Sequence, residues 1–154
     1  MPRPFFCTSN LQAICQDYVP TLQGATDNPT SVAYSKQSGV YEKIGNICFF
    51  VVSIVTTSMS KTTLTDTVRI SLPIASASLP FTNHDTPCPA MTKNATPAKN
   101  GNYGLVPKGA QYVEIHYNPS GASAEQALTY GAADLGNLTN TITFDVSGWY
   151  FINA

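Results

Sequence analysis

The chain has 154 residues, a formal net charge of −1 and only 11% charged residues. That length is one domain with room for a proper core. Low charge excludes long Glu/Lys-rich surface helices, and the absence of any basic run excludes a binder of phosphate backbones. Thr, Ser and Asn stand where the charge would be, beside 11 Pro and 10 Gly. This is the composition of strands and turns.

The N-terminal "MPRPFFCTSNLQAICQ" (1–16) has one apolar pair, Phe5 and Phe6, followed at once by polar residues. A secretory h-region needs roughly 7–15 apolar residues. The protein is therefore expected to start in the cytoplasm of whatever cell makes it, with an N-terminal arm at 1–16 and the folded domain at 17–154. "DYVPTLQG" (17–24) and "SVAYSK" (31–36) alternate as strands do. "SGVYEKIG" leads into "ICFFVVSIV" (47–55), the most apolar stretch of the chain. Nine residues are too few for a membrane helix, which needs about 20. Their β-branched and aromatic content predicts a strand, and the unbroken run predicts cover on both faces, by core or by another subunit. No membrane association is expected.

"TVRISLPI" (67–74) places Val68, Ile70 and Leu72 on one face. Residues 80–101 hold four Pro and read as long loops with at most one or two short strands. "GAQYVEIHYN" (109–118) sets Tyr112, Glu114 and His116 on one face and Val113, Ile115 and Tyr117 on the other. Within 124–137 the reading is a strand near 127–130 and then a loop. "NTITFDVSGWYFINA" closes the chain as two short segments around Ser147 and Gly148, with Trp149 filling the core. Strands and turns spaced at roughly 8–15 residues predict an all-β single domain built as a sandwich, jelly roll or barrel.

Chemistry is thinly represented. Cys7, Cys15, Cys48 and Cys88 form no CxxC pair, and Cys48 inside the apolar run reads as a buried thiol. The only histidines are His84 and His116, too few for a metal site of the cupin type. Glu114 with His116 reads as a half-solvated strand face. There is no G-x-S-x-G and no glycine-rich phosphate loop, and the nine acids are scattered singly. No catalytic residue, metal or cofactor is expected.

Four stretches together resemble a known family. "DYVPTLQG", "SGVYEKIGNICFFVVSI", "TVRISLPI" and "TITFDVSGWYFIN" are similar to segments of the jelly-roll domain of bacteriophage capsid decoration (cement) proteins, head fibres and tail-fibre tips. The pattern Gly39-x-Tyr41-x-Lys43-x-Gly45 carries much of the likeness, while 80–101 has no counterpart. The resemblance implies an all-β, jelly-roll-like antiparallel β-sandwich and a homotrimer on the virion. A short arm without a shaft favours a cement protein bound to the outside of the major capsid protein shell. Under this reading Pro2, Arg3, Phe5 and Phe6 contact the capsid or a neighbouring subunit. Phe49, Val51, Val52 and Trp149 serve the core or the trimer interface. The alternative is a receptor- or glycan-binding fibre tip, with Tyr112 and His116 on its ligand face.

Overall fold

The computed structural model describes residues 15–78, 85–93, 102–118 and 125–153. Ten strands and one helical turn follow in chain order: β1 (Gln16–Tyr18), β2 (Leu22–Gln23), β3 (Ser31–Ile44), β4 (Ile47–Ser60), β5 (Arg69–Ser71), β6 (Thr86–Lys93), β7 (Tyr103–Val106), β8 (Tyr112–Tyr117), β9 (Gln126–Ala127), α1 (Ala132–Leu135) and β10 (Ile142–Phe151). All pairings are antiparallel, in the order β1-β3-β4-β10-β6-β7-β8-β5-β2, with β9 pairing off this path to His116 and Tyr117 of β8, beyond the stretch that β5 pairs. The sheet curls over one core, so the all-β, sandwich-like single domain read from composition and alternation is what the chain forms.

β3 and β4, 14 residues each, make a hairpin. The turn is Gly45-Asn46 between paired Ile44 and Ile47, and Gly45 has φ +58°, a left-handed conformation that only glycine enters without strain. The segments 31–36 and 38–45, read separately in sequence, are one strand with a bulge between Ala33 and Lys36. Likewise the closing residues are one ten-residue strand, β10, paired along its whole length with β4.

β6 was hidden among the prolines. Its second half, Ala90–Lys93, pairs with β10; its first half, Thr86–Pro89, pairs with β7. Pro87 and Pro89 fall where β6 has a partner on one side only, so their missing N–H groups leave no gap in a ladder. Cys88 between them points inward, against Gly104 and Gly148. A Cβ on Gly148 would lie 2.6 Å from Cys88 Cβ. The absent side chain lets β6 pass from one layer to the other. In 124–137 the expected strand shortens to β9, and residues 132–135 form the helical turn that the sequence reading left as loop.

The core joins Phe50, Val52 and Ile54 of β4 and Phe144, Val146 and Tyr150 of β10 to Val113 and Ile115 of β8, Ile70 of β5 and Leu128. The fully buried Tyr130 and Tyr150 each donate their hydroxyl to a carbonyl, of Gln23 (2.7 Å) and Ile74 (2.8 Å). Large rings are thus buried with their polar ends satisfied.

Candidate functional site

β4 corrects the reading of the opening apolar run. Its even residues, Cys48 to Ile54, are buried, but its odd residues face outward and are not covered on the second face. Alternation is the geometry of any strand, and here both parities are apolar. The register then builds a patch. Phe151 lies across from Ile47, Trp149 from Phe49, and Ser147 from Val51 on the β10 side; Ile44 and Val40 flank them on β3. Ile44, Phe49, Val51, Met91 and Trp149 each keep 41–59% of their surface exposed. Trp149 and Phe151 meet edge to face at 5.6 Å.

Sequence reasoning grouped Phe49, Val51, Val52 and Trp149. The structure separates them: Val52 is core, at 1% exposure, and the other three lie outside. Trp149 therefore does not fill the core, because β10 alternates from Ile142 to Phe151 with its even residues inward, which turns Tyr150 inward and Trp149 outward. Ile44, Met91 and Phe151 join the patch and were missed, since only the strand register brings them together. Pro2, Arg3, Phe5 and Phe6 lie outside the described residues.

Further along the same face the character changes. Ser53 Oγ donates to Asp145 Oδ1 at 2.7 Å, with exposed Lys36 and Lys93 nearby in register. A shallow open depression of about 380 Å³, lined by Lys36, Val51, Ser53, Met91, Asp145 and Ser147, marks the boundary. The face is therefore apolar at the hairpin end and polar at the other.

Tyr112 and His116 do share a face, on β8 in the opposite layer. Arg69 of β5 places its guanidinium 4.2 Å from the centre of the Tyr112 ring and donates twice to Glu114 Oε1, at 2.9 and 2.7 Å. His116 Nε2 lies 3.4 Å from Glu114 Oε2. The Glu114 carboxyl is held below its ordinary value, first by the hydrogen bond to His116 and, against the opposing effect of burial, by Arg69. Arg69 and Glu114 satisfy one another in this row, the buried His116 Nδ1 has no hydrogen-bond partner among the described residues, and Arg69 covers one face of the Tyr112 ring. His84 lies outside the described residues, and among those described no three His, Cys, Asp or Glu side chains converge as metal ligands.

A third constellation was invisible in sequence. The Lys61 side chain is fully buried, and its ammonium reaches Asp27 O (2.5 Å), Asp27 Oδ1 (2.6 Å) and Asp66 Oδ2 (3.0 Å). Asp66 also accepts from the N–H groups of Ala25 (2.9 Å), Thr26 (2.9 Å) and Asp27 (3.3 Å). Gly24 leaves the space, since a Cβ there would collide with the Asp66 carboxylate and the Asp27 carbonyl. Three donors meet three acceptors, so this is a clasp that ties the 24–28 loop to the end of β4.

No protein-family model, curated protein or solved structure matches the chain. Function must then be argued from its surfaces, of which the apolar end of the β3–β4–β10–β6 face is the one that water solvates worst.

Proposed function

We propose that this chain is a virion structural protein: a homotrimeric capsid decoration (cement) protein that binds the outside of the major capsid protein shell and stabilises it. The observation that carries the reading is the apolar hairpin end of the outer face, built from Ile44, Phe49, Val51 and Trp149. A contiguous apolar patch with a polar surround is a surface suited to cover by protein. The likeness of the strand segments to phage decoration and fibre domains supplies the kind of assembly. Cementing needs no reaction. Three weak contacts per trimer, engaged together, give an avidity well above that of each contact alone.

The fibre-tip alternative uses the Tyr112–His116 row, where Arg69 lies over the Tyr112 ring and leaves less of it for a glycan. The test is to co-express the chain with the major capsid protein of the same genome and to purify assembled shells on a density gradient. Co-sedimentation at fixed stoichiometry, with shells that melt at higher temperature than bare ones, is the expected result. Shells that band without the chain, together with saturable binding on a glycan array, would replace this reading by the fibre tip.

A further inference from the structure

The assembly reading leaves open what covers the apolar face, and three features of the face answer it. The first is size. Five side chains at 41–59% exposure, taking roughly 150–250 Å² for each large residue, offer on the order of 450 Å². That exceeds half of the ~800 Å² that each partner buries in a standard interface, before the half-buried Val40, Ile47 and Phe151 are added.

The second is polarity along the strands. Ile44, Ile47, Phe49, Val51, Trp149 and Phe151 occupy the hairpin end, with the buried Glu42 across from Phe49, while Lys36, Ser53, Asp145 and Lys93 occupy the other, with Met91 beside Asp145. A rotation axis running along β4 brings the apolar end of one copy against the apolar end of the next, and polar against polar. An axis across the strands would press Lys36 and Lys93 onto Phe49 and Trp149. The face thus matches a rotated copy of itself in one orientation and rejects the other.

The third is charge. Exposed Lys36 and Lys93 share the face with Asp17 and Asp145, so two copies meet no field of a single sign. Apolar centre, mixed polar margin and adequate area are the anatomy of a contact between copies.

We propose that the outer face of β3, β4, β10 and β6 is covered by further copies of this chain, related by an axis roughly parallel to β4. This inference rests on the assembly reading above and names the partner for its main surface.

The experiment is analytical ultracentrifugation of the full chain and two variants. The wild type is expected to sediment as a multiple of the 16.5 kDa chain, three copies under the function proposed. Val51→Glu, at a side chain 59% exposed, puts a charge into the contact. It is expected to weaken association by about 100-fold and to sediment as one chain, with circular dichroism and melting temperature unchanged. Ile44→Lys, beside the hairpin turn, is the independent second substitution and is expected to do the same should Val51→Glu fold poorly. A wild type that stays a single chain at every concentration up to the solubility limit overturns the inference. So do folded variants that keep the wild-type mass. The two readings fail separately: an oligomer lost in Val51→Glu that leaves shells bare sinks the cement function alone, and a single chain that binds shells sinks the interface alone.

Discussion

Lys61 shows how much one side chain can hold. In the sequence it stands in "SMSKTTLTD", a polar stretch that reads as a loop with a solvated lysine. Its burial depends on partners 34 residues upstream and five downstream, Asp27 and Asp66, and no local pattern announces them. Burial alone would favour a neutral Asp66, but the N–H groups of Thr26 and Asp27 and the Lys61 ammonium outweigh it and hold the carboxyl far below the carboxylate range. A carboxyl depressed in the folded state adds stability that is complete above its unfolded value, near 4, and is lost as the pH falls below it. Asp66→Ala removes one of the two carboxylates that face the buried Lys61 ammonium and strands three N–H groups. It is expected to lower unfolding free energy at pH 7 by about 3 kcal/mol and to make the loss of stability between pH 7 and pH 3 shallower than in the wild type. Urea midpoints at the two pH values check both parts, and an unchanged pH dependence would show that Asp66 is not the group responsible. Cys88 offers a second check at this scale. Desolvation, slightly offset by the Gly104 N–H, pushes its thiol up to about 12, and burial raises the Cys48 thiol as well. Neither should react with an alkylating reagent at pH 8 in the folded chain, and both should react in denaturant; mass spectrometry of the labelled peptides reads the outcome.

Strands were legible wherever one parity is polar. Tyr112–Tyr117 alternates as the sequence predicts, because Glu114 and His116 cannot share a face with Val113 and Ile115 without losing their partners or water. The run 47–55 was legible as a strand but not as to which face is buried, since its two parities are equally apolar and only pairing with β3 and β10 decides. The β6 strand was illegible for the opposite reason. Two prolines in eight residues ordinarily end a strand, and they are tolerated here because the partner changes from β7 to β10 midway. The crossing depends on Gly148. Gly148→Ala drives a methyl into Cys88 Cβ and is expected to cost about 2 kcal/mol by overpacking. A denaturation midpoint equal to that of the wild type would show that β6 can shift away from β10 without penalty.

For the molecule as a whole, the sequence carried the fold class and brought Phe49, Val51 and Trp149 together as candidates, but it did not carry the surface they form. A patch of this kind is a property of register: Trp149 reaches Phe49 only because β10 pairs with β4 across about 100 residues of chain, and Met91 joins only through β6. The account's central claim is that this face is covered in the assembled state. Trp149 is the only tryptophan in the chain and lies in the patch at 45% exposure, so its fluorescence reports on that cover without a label. The measurement is its emission maximum as the full chain is concentrated from high dilution, and again with assembled capsid shells present. A shift to shorter wavelength as the chain associates, absent in Val51→Glu, is the predicted result. An emission maximum that stays at the value of a water-exposed indole at every concentration, with and without shells, would contradict the account.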